Sequence, residues 1–87
     1  MNNMQNEICE VLVDILKDEN IIDKPFDGSY NSNLKEEYGM DSMNLIRYIV
    51  EIEEKFEIEF NDEQLLPECF ATIYDISMLV VECLGTK

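Results

Sequence analysis

SMNLIRYIVEIEEKF, residues 42–56, carries the strongest helical periodicity in the chain. Asp41 or Ser42 stands where a side chain can cap the free amides of its first turn. At about 100° per residue, Leu45, Ile49, Ile52 and Phe56 fall on one narrow stripe, the expected core face. Met43, Ile46 and Val50 form a second apolar stripe roughly 120° away by the same geometry, flanked by Arg47 and Glu54. One stripe is enough to bury a surface helix. The second therefore implies a further contact, either with the loop that precedes the helix or with a partner protein.

Upstream, Ile8, Leu12, Ile15 and Leu16 recur at helical spacing between Met4 and Lys17, with Glu7, Glu10 and Asp14 between them. This is an amphipathic helix. DENIIDKPFDGSYNSN (residues 18–33) then crowds together Pro25, Asp27, Gly28, Ser29, Asn31, Ser32 and Asn33, residues that form turns or compete with the helical backbone. The expectation is a long surface loop anchored by Ile21, Ile22 and Phe26, with the next periodic stretch starting at Ser42. Downstream, Phe56 to Phe60 (FEIEF) alternates with period two, but no other segment could pair with it as a strand. It is expected to be an extended connector that tucks Phe56, Ile58 and Phe60 inward. Asn61 or Asp62 should cap a short helical turn, DEQLL, stopped by Pro67. Thr72 and Asp75 have the spacing of a capped helix start, from which Ile73, Ile76, Val80 and Cys83 or Leu84 run as far as Gly85. The predicted architecture is all-α, a small four-helix bundle. It has three longer helices, one short one and a long loop between the first and second. A single domain is expected over residues 1–87, with its core in about residues 4–84.

Twenty acidic residues against six basic ones give a net charge of −14, while 46% of the residues are hydrophobic, too many for an acidic disordered tail. The few cations are scattered, so neither nucleic acid nor an anionic membrane is an expected partner; basic protein surfaces are. Histidine is absent. That removes Ser-His and Cys-His couples, an imidazole base and His-liganded zinc. Cys9, Cys69 and Cys83 are odd in number and sit among apolar residues, which reads as reduced thiols in a cytoplasmic protein. The N-terminus shows neither a basic flank nor a long apolar run, so no signal peptide or membrane span is expected.

The acidity invites a calcium test. A twelve-residue loop begun at Asp23 places Asp27 and Gly28 correctly, but Pro25 takes the third position and Leu34 the twelfth, where a bidentate Glu is required. The template fails, and no metal ligands are assigned. The carboxylates of EIEEKFEIE read as a solvated helix face rather than an acid/base pair, and no residue is assigned a catalytic role.

Glu37-Tyr-Gly-Met-Asp-Ser-Met43 remains, between the loop and the most regular helix. Gly39 permits an unusual backbone angle, and Asp41 and Ser42 put a hydroxyl at a helix N-terminus, where free amides and the helix dipole favour an attached phosphate ester. Residue chemistry alone leaves two readings open: a capping serine with no further role, or a site modified by another enzyme.

Gly39-Met-Asp-Ser-Met43 leads into an amphipathic helix that ends in Glu53-Glu-Lys-Phe56. An extended Glu57-Ile-Glu-Phe60 and Asn61-Asp-Glu63 follow, then Thr72-Ile-Tyr-Asp-Ile76 at the last helix. In this order and spacing the segments closely resemble the acyl carrier protein family over about residues 4–84. The resemblance implies a four-helix bundle in which Ser42 carries 4′-phosphopantetheine through a phosphodiester. A separate phosphopantetheinyl transferase would install it from coenzyme A with magnesium. The arm would then hold acyl or aminoacyl groups as thioesters for partner enzymes, so the protein is a non-catalytic carrier, expected to be a freestanding monomer. It also implies partner docking beside the arm, through Asp41, Met43, Ile46, Arg47 and Val50, with Glu53 and Glu54 as an acidic rim.

The chain departs from many fatty-acid carriers, which have Asp-Leu-Gly before the serine and Leu after it. Here stand Glu37-Tyr38-Gly39 and Met43, with Arg47 where an acid is common. Fatty-acid, polyketide, nonribosomal-peptide and aminoacyl pathways all stay open. The alternative reading is an unmodified helical interaction module that docks through Met43, Ile46 and Val50.

Overall fold

The computed structural model describes residues 3–26 and 29–85; the predicted Asp27–Gly28 turn lies outside them. Four α-helices follow in order: α1 (Asn3–Asp18), α2 (Leu34–Tyr38), α3 (Ser42–Phe56) and α4 (Ile73–Gly85). A 3-10 helix (Pro67–Phe70) precedes α4. No strand occurs among the described residues. No helix among them is long and apolar enough to cross a membrane.

The helix α1 packs against both α4 and α3. Its predicted stripe of Ile8, Leu12, Ile15 and Leu16 is buried, together with Cys9. Facing it are Ile73, Ile76 and Val80 of α4 and Tyr48 and Ile52 of α3. Burying an Ile or Leu side chain contributes roughly 1.5–3 kcal/mol, so this three-helix seam is the main source of stability. Two buried polar links fix its register. The Gln5 amide donates to Ser77 Oγ at 3.1 Å, whose hydroxyl donates to the Tyr74 carbonyl at 2.6 Å. The Tyr48 hydroxyl donates to the Leu12 carbonyl at 2.9 Å. Tyr48, fully enclosed, is thus the centre of the α3 core face, whereas the predicted stripe of Leu45, Ile49 and Phe56 is only half-buried around it. Burial pushes the Tyr48 phenol well above its ordinary range, with the Cys9 thiol adding to the effect. The Cys9 thiol is itself raised by burial, against a smaller lowering by its hydrogen bond with Ser77.

The short α-helix lies elsewhere than expected. DEQLL is not helical; Gln64 N–H donates to the Asn61 carbonyl at 2.9 Å and Leu65 N–H to the Asp62 carbonyl at 3.2 Å, two successive turns. The Gln64 side chain accepts from Asn61 N–H at 2.8 Å and satisfies the group that a helix would have left open. Pro67 does not stop a helix here. It starts the 3-10 helix, because its fixed φ and missing N–H suit a first helical position.

The short helix is α2, inside the stretch between α1 and α3. Asn33 Oδ1 accepts from Glu36 N–H at 2.9 Å, and Glu37 Oε2 accepts from Asn33 N–H at 2.8 Å, a reciprocal cap. Gly39, at φ +69°, closes the other end, its N–H turned back to the Leu34 and Lys35 carbonyls. A methyl group at Gly39 would run into the Asp23 carboxylate. The loop before α2 clasps it at this point: Asp23 N–H donates to the Tyr38 carbonyl at 2.9 Å, and Phe26 stacks on Tyr38 with ring centroids 5.0 Å apart. The expected anchors hold, with Ile21 and Phe26 buried and Ile22 half-buried.

The Phe56–Phe60 connector is extended after the helix end, with Ile58 and Phe60 buried and Phe60 edge-on to Phe70 at 5.3 Å. Thr72 Oγ1 accepts from Asp75 N–H at 3.0 Å, the predicted cap of α4.

Candidate functional site

Ser42 is the first residue of α3 and is exposed. Its position follows from both neighbours. Asp41, in extended backbone, accepts from Asn44 N–H at 2.8 Å through Oδ1 and so takes the capping role itself. Gly39 and the buried Met40 bring the chain out of α2 and over the core just before it. With Asp41 as the cap, no hydrogen bond among the described residues claims the Ser42 hydroxyl or the Ser42 and Met43 amides. The site is a nucleophilic oxygen with unclaimed donors at the positive end of a helix, a place suited to a phosphate ester.

Beside Ser42 opens a groove of about 450 Å³. Met40, Leu45, Pro67 and Phe70 give it apolar walls, and Asn33, Lys35, Glu36 and Glu68 bring polar groups. Three separate segments meet here, the start of α2, the start of α3 and the 3-10 helix, with Leu34 N–H donating to the Ala71 carbonyl at 2.8 Å across the join. No sequence periodicity marks such a groove: sequence reading puts Leu45 on the core stripe of α3, Asp41 and Ser42 at its start and Pro67 at a helix stop, and gives Phe70 no role.

The predicted docking residues divide. Met43, Ile46 and Val50 are 77%, 62% and 46% exposed, so the second stripe of α3 faces solvent and does not pack under the long loop. Asp41 is the helix cap, and Glu54 is exposed above a groove between α1 and α3. Glu53 is half-buried and works within the fold. Its Oε2 accepts from Phe60 N–H at 2.9 Å and its carbonyl accepts from Ile58 N–H at 3.0 Å, which pins the connector. The Arg47 guanidinium is tethered to the end of α1, as its Nη2 donates to the Glu19 carbonyl at 2.8 Å. Among the described residues no cluster of His, Cys, Asp and Glu could hold a metal ion.

The family model for the phosphopantetheine attachment site matches residues 6–80. The chain belongs to that family of carrier proteins. Its prosthetic group is 4′-phosphopantetheine, and it is a carrier rather than a catalyst. Two solved structures share the carrier's fold. The crystal structure of engineered Bradyrhizobium japonicum glycine:[carrier protein] ligase complexed with carrier protein from Agrobacterium tumefaciens and ATP matches with a TM-score of 0.78 and 28% identity, over 86% of this chain and 97% of that one. The crystal structure of Bradyrhizobium japonicum glycine:[carrier protein] ligase with its cognate carrier protein and an analogue of glycyl adenylate matches with a TM-score of 0.70. It is 19% identical and covers 92% of this chain and 99% of that one. No curated protein matches the carrier by sequence.

The residues present fit the prosthetic group. Outward amides at the start of α3 and Lys35 can receive a phosphate, and the apolar walls of the groove can receive the carbon skeleton of an arm.

Proposed function

We propose that the arm is attached at Ser42 and that this protein is an aminoacyl carrier. The exposed, uncapped hydroxyl at the mouth of α3 carries the first part of the reading. Among the residues that line the groove Ser42 is the one that carries a hydroxyl, and the nearby Thr72 hydroxyl is engaged in capping α4. The likeness at 28% identity to a carrier solved with a glycine ligase supports the second part. Fatty-acid, polyketide and nonribosomal-peptide loading are the competing pathways.

When bound, the arm supplies a thiol that holds cargo as a thioester. The chain's own residues do the rest. Asp41 holds the first turn of α3 so that Ser42 meets an incoming transferase already oriented. The amides of Ser42 and Met43 and the dipole of α3 stabilise the phosphodiester's negative charge. Met43, Ile46 and Val50 present an apolar face beside the attachment point, on which partner enzymes dock. A carrier of net charge −14 draws partners with basic surfaces, a phosphopantetheinyl transferase among them, at rates that fall as salt screens the field. The free state of Cys9, Cys69 and Cys83 supports a cytoplasmic location.

Intact-mass analysis after coenzyme A, magnesium and a broad-specificity transferase tests the attachment. The wild type gains the arm and Ser42→Ala does not; a gain that survives the substitution would sink the assignment. The phosphopantetheinylated protein is then given glycine, ATP and the Bradyrhizobium ligase. A second, hydroxylamine-labile gain supports the aminoacyl reading. Loading from malonyl or fatty-acyl donors alone replaces it.

A further inference from the structure

Arg47 stands on the outward face of α3, four residues after Met43 and three before Val50, so helical geometry makes it a neighbour of both. Its guanidinium is held at two points. Nη2 donates to the Glu19 carbonyl at 2.8 Å and Nη1 donates to Asn44 Oδ1 at 3.2 Å. Both acceptors are neutral oxygens. The anchoring therefore fixes the position of the cation without cancelling its charge, and it uses two of the five guanidinium N–H groups. The rest are open to an outside acceptor, on a residue that is itself exposed.

A surface arginine ordinarily swings aside when a partner presents a like charge. This one is tied to the end of a neighbouring helix and cannot do so without breaking both hydrogen bonds. Resting on the docking role of α3 given above, we propose that Arg47 is the specificity-determining residue of this face. The partner enzymes it admits present a carboxylate within the apolar patch that receives Met43, Ile46 and Val50. The carrier's net charge of −14 acts at long range and favours partners with basic surfaces. The fixed guanidinium acts at contact, where it makes a charge-assisted bond with an Asp or Glu and repels a Lys or Arg. The two effects select different features of one partner: a basic periphery and an acidic point inside an apolar socket. An enzyme that met the same apolar stripe with basic residues would be attracted and then refused.

The probe is a displayed library of helical peptides with randomised apolar, acidic and basic positions, selected on the full-length protein in unmodified and phosphopantetheinylated forms. Selection is run at moderate salt, which weakens the bulk field. Enriched peptides should combine apolar residues with an Asp or Glu, against the sign of the protein's net charge. Their affinity should fall about ten-fold on Arg47→Gln, recover in part with Arg47→Lys, and be lost on Ile46→Glu. Asn44→Ala keeps the charge and releases one anchor, so it gives an intermediate loss. It carries the test if Arg47→Gln melts early. Binders that are purely cationic, acidic binders indifferent to Arg47→Gln, or no enrichment at all would overturn the proposal. Failure of the carrier reading is scored separately, as a missing mass gain at Ser42, which leaves peptide selection by this face unchanged.

Discussion

Tyr48 shows how much one side chain can hold in a small core. It is fully enclosed, and its hydroxyl ties α3 to the Leu12 carbonyl of α1. Because burial raises its phenol above the ordinary value of about 10, the folded protein keeps it neutral after the unfolded chain has begun to ionise. Its contribution is complete below that value and is lost as pH rises through the folded value. Melting temperature followed upward from pH 7 should therefore fall beyond about pH 10. Tyr48→Phe, about 1 kcal/mol less stable at pH 7 through the lost hydrogen bond, should fall less steeply there. Parallel declines in the two proteins would remove Tyr48 as the cause. Cys9, Cys83 and Tyr30 are raised by burial too and add to the alkaline fall in both proteins, so the difference between the two curves is what reports on Tyr48. Tyr48 was not legible in the sequence, because the stripe of Leu45, Ile49, Ile52 and Phe56 already completes a helical pattern. A tyrosine at its edge reads as amphipathic until the Leu12 carbonyl is seen above it.

At the scale of elements, α3 was the most legible, since its two apolar stripes are separated by geometry alone and only one can face α1. Its start was less so. Asp41 and Ser42 were equal candidates for the cap, and the structure gives the role to Asp41. Asp41→Ala should cost about 1 kcal/mol and lower the melting temperature by roughly 4–8 °C, the loss of one helix cap in a domain of this size. An unchanged melting curve would show that Ser42 takes over as the cap, which would also occupy the hydroxyl offered for attachment. The helix α2 escaped the reading because five residues are too few to show a period. Its signals were present all the same: Asn33, then Glu36 and Glu37, then Gly39, a cap at each end with one turn between. The tether of Arg47 had no signal at all, because its acceptor is a backbone carbonyl on another helix.

At the scale of the whole molecule, the charge of −14 weighs on a core of modest size. Like charges repel most in the compact state, so added salt should raise the melting temperature. A melting point level or falling from low to moderate sodium chloride would contradict this. The bundle and the second apolar stripe of α3 were legible because both rest on periodicity within single helices. The groove beside Ser42 was not, because it exists only where segments around residues 33–36, 40–45 and 67–71 converge.

The burial of the chain's own sulfur has a chemical consequence for a protein that transports activated groups. Cys83 lies against the Glu59 carbonyl and the Gln64 amide oxygen, each 3.8 Å from its sulfur. Burial raises its thiol, outweighing the lowering by Gln64, and Glu82 and Glu53 add to the rise; Cys9 is raised by burial as well. Acyl exchange between sulfurs needs a thiolate. The carrier keeps these two thiols protonated, so a cargo resting on a borrowed sulfur meets poor internal competitors for it. The interior that stabilises the fold thereby insulates the shipment from the vehicle.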